Sequence, residues 1–565
     1  MDPFLCLRDP ILRLFPLMEE EDISFVAPPS VTLGDVSLPC FFPAKRLKTS
    51  PTQIAAEIAE KADFGFLVIE AKAAGPYLNL RLDRPRFARA IVETILGEGE
   101  CFGSNRSGNG RRVLLEHTSI NPNASPHVGR ARNAMIGDSL ARLFRFQGYV
   151  VEVHYYVDDM GKQIALLVLM DDQIQEPDFD MILDLYVKAN QRAEENSEFA
   201  QRGYDLLAQM EQKDPEAQKR FASMTDLCLK GQLKVLSRLG ASYDVFDRES
   251  DYVSDERLEP ILDALRDKGA LFEDEHGRLV VDCGKLGLER EEGRYFVLRR
   301  GNGSSMYGYR DLAYTVHKES RGIEINLIVL GEDHKLYFQQ LSLILQAAGH
   351  RPPEPIHYSY ILLKEGKMST RKGNVVLLSE FLDMATALAS KRVEEHCAEY
   401  PIEEKKRMAE QVAVGAIRFT ILRVQDTKNV IFDMDEALSF TGDTGPYIQY
   451  SCARIQSILR KFEGDLDAGI SESFQVETDS EWMLLSKLAT FPRIVASCLE
   501  QRTVAPMAVF ALETARAFTG FYHDCPVLTA GTQDLVAARI QLCRATLAVM
   551  RNALHILGIE VPERM

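Results

Sequence analysis

Residues 111–163 combine short apolar runs with a helical hydrophobic repeat, the pattern of an α/β unit. Residues 113–115 form an apolar run of strand length, and the spacing predicts a helix from about Gly129 to Gln147. Gly148 suits the C-terminal cap of that helix, and residues 149–157 predict the next buried strand. Strand, helix and strand at this spacing form a βαβ unit, so we expect a parallel sheet.

The α/β pattern is interrupted and then returns. Residues 181–239 predict long helices with one polar face, so we interpret about residues 165–300 as a helical insertion between two halves of a sheet. Beyond it, the pattern predicts in turn a helix, a strand, a helix and a strand at residues 312–318, 325–330, 337–348 and 356–363.

Residues 1–105 mix helix-like and strand-like segments and predict an α+β N-terminal domain. Helices are expected at residues 53–62 and 86–96, and the alternation at residues 77–82 predicts a strand. Residues 99–110 are rich in glycine, serine and asparagine, a composition typical of a linker. A second domain should therefore begin near residue 111.

From residue 403 onward the apolar positions recur at helical spacing, which predicts an all-α bundle over residues 403–565. The whole chain is thus expected to be an α/β protein. Its centre, residues 111–400, should be a Rossmann-like parallel-sheet domain with a helical insertion, flanked by the α+β N-terminal domain and the bundle.

Composition argues against several classes of protein, including membrane-spanning and exported proteins. The chain is 46% hydrophobic and 26% charged, as in globular proteins, and no apolar run approaches the ~20 residues of a membrane helix. The charged N-terminus does not resemble a signal peptide, so we expect a cytoplasmic location. The ten cysteines form no CxxC pair, so no metal site is predicted. A net charge of -17 restricts any nucleic-acid contact to local basic faces.

The loop NPNASPHVGR at residues 121–130 lies between the first strand and the helix that follows it. A helix N-terminus offers unpaired N–H groups and a positive dipole end, which suit phosphate. Gly129 lets the backbone approach a ligand, and His127 can donate hydrogen bonds to phosphoryl oxygens. An ordinary loop with a capping histidine explains this segment alone equally well.

A second loop, at residues 364–376, follows the predicted strand and contains KEGKMSTRKGN. Four cations and two glycines in this short segment suit a loop that closes on a polyphosphate and stabilises charge as a phosphoryl bond breaks. Taken alone, an ordinary solvated basic turn is the better explanation.

Together the two loops resemble the two signatures of class I aminoacyl-tRNA synthetases, His-Ile-Gly-His and Lys-Met-Ser-Lys-Ser. They occur in that order, about 240 residues apart. The resemblance implies a catalytic central domain whose two loops bind ATP and stabilise the transition state of adenylate formation. It assigns catalysis to His127, Arg130, Lys367, Arg371 and Lys372, and ATP binding to His127, Gly129, Arg130, Asp333, His334, Lys367, Met368 and Ser369.

Finer segments resemble the arginyl-tRNA synthetase family, in which a Glu and an Asn, here Glu116 and Asn121, contact the amino acid. The spacing of Tyr307 and Asp311 is similar to the pair that frames the arginine pocket. A planar guanidinium favours a bidentate carboxylate, so Asp311 is the first choice, with Tyr307 packing on the guanidinium plane. Glu116 serves the α-amino group or shares the guanidinium, and Gln339 is a weaker candidate.

Residues 441–450 resemble the entry to that family's helical anticodon-binding domain. The resemblance implies tRNA contacts by Tyr447, Tyr450 and Arg454, which suit stacking on splayed bases. For any one of the tyrosines, packing between helices is the better explanation. By position, residues 1–105 correspond to the domain that touches the tRNA elbow.

The resemblance implies ATP-dependent ligation of L-arginine to its cognate tRNA through arginyl adenylate. It further implies that tRNA is bound before arginine is activated. Mg²⁺ should accompany ATP, and we also expect no membrane contact and a monomer. Arg130 and Thr370 stand where the two motifs usually carry His and Lys. A class I enzyme for another amino acid, a non-catalytic RNA-binding relative and a small nucleotidylyltransferase are the alternatives. Intact Lys367-Met-Ser369 counts against the second, and the length and helical C-terminal domain against the third.

Overall fold

A computed structural model describes residues 5–26, 28–122, 126–171, 179–253, 255–364, 376–397, 399–466, 469–471 and 474–565. In chain order its strands are β1 (Val36–Pro39), β2 (Val68–Ala74), β3 (Tyr77–Leu82), β4 (Arg112–Glu116), β5 (Val150–Val157), β6 (Val245–Arg248), β7 (Leu271–Glu273), β8 (Leu279–Asp282), β9 (Tyr295–Arg299), β10 (Ile325–Gly331), β11 (Glu354–Tyr358), β12 (Ile361–Leu363) and β13 (Val430–Phe432).

The α-helices, again in chain order, are α1 (Leu5–Leu14), α2 (Phe41–Leu47), α3 (Pro51–Lys61), α4 (Arg84–Glu98), α5 (Val128–Phe146), α6 (Lys162–Val168), α7 (Phe179–Glu195), α8 (Ser197–Glu211), α9 (Pro215–Arg238), α10 (Glu259–Asp267), α11 (Tyr307–Ser320), α12 (Lys335–Ala347), α13 (Leu378–His396), α14 (Ile402–Leu422), α15 (Met434–Ala437), α16 (Gly445–Lys461), α17 (Asp479–Ala489), α18 (Phe491–Gln501), α19 (Ala505–Asp524) and α20 (Gln533–Ile556).

The N-terminal part packs its helices on an antiparallel sheet of order β1-β3-β2. The two helices and the strand predicted here are confirmed as α3, α4 and β3. Pro51 opens α3, where its missing N–H costs nothing, and the side chain of Asp83 caps α4 by accepting from the Arg86 N–H. Buried Ile54, Ile58 and Leu80 join helix and sheet.

The central sheet is parallel, as predicted, with the order β11-β10-β4-β5-β6. Its middle strand, β4, pairs with β5 at Val113↔Val151 and with β10 at Val113↔Ile325. The chain therefore leaves β4 on one side and later returns on the other. In open parallel sheets such a reversal creates a crevice at the carboxyl ends of the strands. Gly148 has φ +81, which fits its predicted place after α5.

The interruption of the α/β pattern is only partly helical. Helices α6 to α9 form the expected insertion and enclose a hydrophobic cluster of their own. The prediction is wrong for the rest of about residues 165–300, because β6 joins the central sheet and β7-β8-β9 form a small antiparallel sheet. A strand as short as β6 is too brief for hydrophobic periodicity to distinguish it.

The predicted strand at residues 356–363 is divided into β11 and β12, which belong to different sheets. β12 instead pairs with β13, a strand within the stretch expected to be wholly helical. Buried Arg132 on α5 holds this region: its Nη1 donates to the carbonyls of Ser359 and Lys428, both at 2.7 Å, and its Nη2 to that of Gln425 at 2.9 Å.

One hydrophobic core runs through the N-terminal part, the sheet and the bundle. The predicted linker packs against the bundle. Asn552 of α20 donates to the carbonyls of Gly99 and Phe102, and Phe102 stacks on Phe491 with 6.0 Å between the ring centroids. The part of the chain that the structure describes contains no helix of sufficient length and apolarity to span a bilayer.

Candidate active site

A pocket opens at the carboxyl ends of β4, β5 and β10, beside the N-terminus of α5, with a volume of about 880 Å³ that includes its solvent-filled mouth. This is the crevice that the strand order creates. Of the residues predicted from the sequence, Glu116, Asn121, Arg130, Tyr307, Asp311 and His334 line it. The rest of the lining is His117, Thr118, Ser119, Asn133, Tyr156, Asp158, Ile328, Val329, Leu330, Gly331, Tyr337 and Phe338.

Asp311 lies on the first turns of α11 and faces this pocket. Its Oδ2 accepts a hydrogen bond from the Tyr337 hydroxyl at 2.8 Å. Burial raises the pKa of Asp311 to about 6, although the positive charge of Lys318 opposes the shift. No cation among the described residues lies within ion-pair distance of Asp311, so this carboxylate is suited to a cationic ligand.

Aromatic rings wall the pocket around Asp311. The ring of Tyr307 lies 5.5 Å from that of Tyr337 and 6.3 Å from that of Tyr156, between centroids. The Tyr307 residue as a whole remains 43% exposed although its hydroxyl is buried, so a planar cation can approach the residue from the open side of the pocket. Stacking of a guanidinium on an aromatic face adds to an ion pair in the same site.

Glu116 is the last residue of β4, and its buried carboxylate receives the ammonium of Lys318, with Nζ 2.6 Å from Oε2. Asn121 is exposed at the mouth of the pocket, and its carbonyl accepts from Gln232 at 2.9 Å. Two of the predicted amino-acid contacts thus lie at different depths of the same crevice.

A second acidic group lines the pocket at the end of β5. Asp158 directly follows β5, much as Glu116 ends β4. It lies beside buried Glu249. Oε1 of Glu249 is 2.5 Å from Nε of Arg310. Burial raises the pKa values of both Asp158 and Glu249. The sequence signal for Asp158 was its place directly after a predicted strand.

The N-terminus of α5 faces the pocket. His127 occupies the N-cap position, but its side chain makes no capping hydrogen bond, which removes the simplest structural explanation of this histidine. Burial and the nearby Arg130 lower the pKa of His127. A Cβ on Gly129 would lie 2.9 Å from Cε1 of His127, so glycine leaves room for the imidazole.

The second loop connects to the first at its far end. Lys367, Met368, Ser369, Arg371 and Lys372 lie outside the described residues, so their roles stay predictions. The flanks of the loop are described. Lys364 pairs with Asp433 at 2.9 Å.

After the loop, the chain rejoins the start of α5. Leu377 forms an antiparallel bridge with His127, the Val128 N–H donates to the Val376 carbonyl at 3.1 Å, and the Leu378 N–H donates to the Pro126 carbonyl at 2.7 Å. The two signature segments therefore meet in the fold.

Four of the predicted contacts that the structure describes are absent from the pocket lining: His127 and Gly129 at the start of α5, and Gln339 and Asp333. Gln339 is exposed on α12, because it lies about 200° around the helix from Tyr337, which does face the pocket. Asp333 is largely exposed beside His334, 3.6 Å from its Nε2, and only His334 lines the pocket. Tyr337 was missed because its role depends on a contact with α11.

The predicted tRNA contacts divide into two groups. Tyr447 is half-buried, and its hydroxyl lies 2.8 Å from that of Thr519, so it packs between α16 and α19 instead of facing solvent. Arg454 lies between two exposed tyrosines, 4.7 Å from the ring of Tyr450 and 5.0 Å from that of Tyr522. Only the second group offers exposed aromatic faces.

Comparisons with known proteins place these features in a family. The family model described as tRNA synthetases class I (R), catalytic domain, matches residues 91–434, the DALR anticodon binding domain matches 448–565, and the arginyl tRNA synthetase N terminal domain matches 6–82. An arginine–tRNA ligase of Methanopyrus kandleri is 37% identical, covering 99% of this chain and 96% of the relative. The chain belongs to the arginyl-tRNA synthetase family.

Solved structures agree with this membership of the arginyl-tRNA synthetases. The Thermus thermophilus arginyl-tRNA synthetase matches with a TM-score of 0.78 and 27% identity, covering 99% of this chain and 100% of that chain. The Plasmodium falciparum arginyl-tRNA synthetase shares the fold, with a TM-score of 0.76 at 19% identity over 99% of this chain and 98% of that chain. The class I family expected from the two loops and the arginyl-tRNA synthetase family expected from the finer segments are both confirmed.

Proposed function

We propose that this chain joins L-arginine to its cognate tRNA in an ATP-dependent reaction through arginyl adenylate. The arginine carboxylate attacks the α-phosphorus of ATP and pyrophosphate leaves, and the 3′-terminal ribose hydroxyl of tRNA then accepts the arginyl group from AMP. The observation that carries the proposal is the acidic, tyrosine-walled pocket that opens directly beside the N-terminus of α5. No protein nucleophile is needed, because positioning and charge stabilisation supply the rate.

The arginine side chain enters between the tyrosines. Asp311 pairs with the guanidinium while Tyr307 packs on its plane, since Asp311 is half-buried and Tyr307 is partly exposed. Glu116 and Asn121 contact the remainder of the amino acid from the end of β4 and the loop that follows. A guanidinium satisfies the buried carboxylate without requiring it to protonate.

ATP lies across the start of α5, with its phosphates toward His127, Gly129 and Arg130. Arg130 replaces the usual histidine with a permanent charge, which suits phosphate. His334 lines the same pocket and takes the ribose side. Lys367, Arg371 and Lys372 close on the pyrophosphate, and Mg²⁺ accompanies the ATP oxygens that hard cations prefer.

tRNA binds along the C-terminal bundle and the N-terminal part. Tyr450, Arg454 and Tyr522 offer stacking faces for unpaired anticodon bases. Residues 1–105 take the elbow of the tRNA, and tRNA is bound before arginine is activated. A cytoplasmic location and a monomeric state stay predictions. Light scattering would measure the oligomeric state.

The test is arginine-dependent exchange between ATP and pyrophosphate, with and without cognate tRNA. Exchange with arginine alone among arginine, lysine and glutamate, and only with tRNA present, is the expected result. Exchange with lysine would overturn the assignment of the pocket. Folded protein that binds tRNA but catalyses no exchange would indicate a non-catalytic relative.

A further inference from the structure

A buried ammonium group lies beneath the acidic pocket. Lys318 is on α11, seven residues after Asp311, so the two side chains lie on the same face of the helix. Its side chain is 1% exposed, its Nζ is 2.6 Å from Oε2 of Glu116, and it lies 4.1 Å from the ring centroid of Tyr314. Lysine is almost never fully buried unless it is paired, so this geometry calls for an explanation.

Acidic groups face this ammonium from three elements. Glu116 approaches from β4, Asp311 from the same helix and Asp247 from β6. Asp247 has partners of its own, since its Oδ2 accepts from the Tyr314 hydroxyl at 2.9 Å and lies 2.6 Å from Nδ1 of buried His154. The direct ion pair of Lys318 is therefore with Glu116, while Asp311 feels its charge at a distance.

This arrangement leaves Asp311 without a cationic partner among the described residues. Glu116 has a fixed partner, whereas Asp311 is held only by the Tyr337 hydroxyl among the described residues. We propose that Lys318 is a positioning residue for arginine: it fixes the carboxylate of Glu116 in the pocket and leaves Asp311 as the carboxylate whose cationic partner is the substrate guanidinium. This inference rests on the proposed arginine site and deepens it, because it explains why the site demands a cation.

The decisive variant is Lys318→Met, which keeps a long unbranched side chain and removes the charge. Tested with tRNA in arginine-dependent exchange, it should raise KM for arginine by at least about tenfold, because Glu116 loses its partner inside the protein. KM for ATP and the Kd for tRNA should stay within about twofold, since the contacts described for Lys318 are with Glu116 and Tyr314 and not with the start of α5.

The pH profile distinguishes positioning from mere structural support. Removing a positive charge raises the pKa values of the neighbouring carboxyl groups, so the acid limb of kcat/KM for arginine should move to higher pH in Lys318→Met. Citrulline is the neutral analogue of arginine. At a fixed ratio to arginine, it should inhibit exchange more strongly in the variant than in the unaltered enzyme. An unchanged acid limb with unchanged KM would overturn the proposal.

Tyr314→Phe is the matched control, because it breaks a hydrogen bond in the same buried layer and keeps the ring beside the ammonium. It should lower Tm yet leave KM for arginine close to that of the unaltered enzyme. If both variants raise KM equally, the effect of Lys318 is structural and the proposal fails.

A double-mutant cycle with Glu116→Gln, measured on folded single and double variants, tests whether Lys318 acts through Glu116. If Lys318 acts through Glu116, the two losses are strongly non-additive; additive losses would contradict the proposal. Failure of the unaltered enzyme to use arginine at all would instead reject the proposed function, so the two failures are distinguishable.

Discussion

Asp311 shows how its surroundings set the charge of a single side chain in the pocket. Burial alone favours the protonated acid, and the hydrogen bond from Tyr337 together with the charge of Lys318 draws the pKa back to about 6. The carboxylate is thus ionised at neutral pH but only narrowly. A bound guanidinium completes its environment and favours the ionised form.

Asp311→Asn removes the charge and keeps the shape. We expect KM for arginine to rise about 100-fold or more, since a buried charge pair loses one partner, while KM for ATP changes little. Exchange kinetics over a range of arginine concentrations measure this. Asp267→Asn, the same change at an exposed site on α10, is the control and should behave as the unaltered enzyme.

The carboxylate of Asp311 also predicts that kcat/KM for arginine declines on the acid side of about pH 6. The pKa of Asp311 is raised to about 6 from 3.8, so the ionised fraction falls as the pH drops from 7 to 5. Below pH 6, kcat/KM for arginine should therefore fall by about tenfold per pH unit. Asp311→Asn should lack this limb, and a limb that persists in the variant would assign it to another group.

At the scale of residues, several positions predicted from motifs lie at the pocket, and their roles stay proposals. Glu116, Asn121, Arg130, Tyr307 and Asp311 all line the pocket. Residues whose roles depend on a partner elsewhere in the chain could not be found in this way. The Tyr337 hydroxyl donates to Asp311 of α11, and Lys318 pairs with Glu116 of β4. Gln339 is exposed, because its position around α12 is set by packing.

Among the elements, α5 carries the most functional detail. It begins at the phosphate-facing loop, and its residue Arg132 holds the break between β11 and β12. Its long hydrophobic repeat and its glycine cap made it predictable from the sequence. The short strands β6 and β13 carry no such repeat; only their pairing in the folded protein defines them.

Gly129→Ala separates the stability of α5 from its function. Alanine favours helix over glycine by up to about 1 kcal/mol, so Tm should hold or rise. The new methyl group would press on the His127 ring, 2.9 Å from Cε1, so kcat/KM for ATP should fall roughly tenfold or more. Calorimetry and exchange kinetics on one preparation test both parts.

Gly97→Ala is the matched control on α4, because a Cβ there meets no atom within 4 Å. It should gain similar stability and keep full activity. Equal activity in both variants would show that the imidazole of His127 does not need the space beside Gly129.

At the scale of the whole molecule, Arg418 connects three parts of the fold. This fully buried side chain on α14 donates to the carbonyls of Leu239, after α9, and Leu557, after α20, at 2.5 and 2.6 Å. It also pairs with Asp138 of α5 at 2.7 Å. The insertion, the sheet domain and the bundle thus share one guanidinium.

Arg418→Met should therefore destabilise the enzyme severely, by about 3–5 kcal/mol, because the buried carbonyls of Leu239 and Leu557 lose their donor and Asp138 keeps only its ion pair with Arg142. Urea unfolding followed by fluorescence and by activity would measure the loss. Arg407→Met, at an exposed position on the same helix, should change stability by less than about 0.5 kcal/mol. A similar loss of stability in both variants would contradict the proposed role of Arg418.

At the far end of the bundle, Tyr450→Ala tests the stacking surface. Loss of one stacked base should weaken tRNA binding by about tenfold at constant salt and leave exchange at saturating tRNA intact. Filter binding measures the Kd. Tyr447→Phe, which keeps the packed ring and removes only its hydroxyl, should bind tRNA normally, and equal affinities in all three proteins would exclude this surface.

The contact of α20 with the segment after α4 also has a consequence in time. The amide of Asn552 reaches the Gly99 carbonyl across 453 positions of the chain. At typical synthesis rates, the two residues leave the ribosome roughly 20 to 90 s apart. Through that interval the nascent N-terminal part lacks the surface against which its last helix finally packs. Chaperones that shield exposed apolar helices should therefore act on the nascent chain early, well before its release.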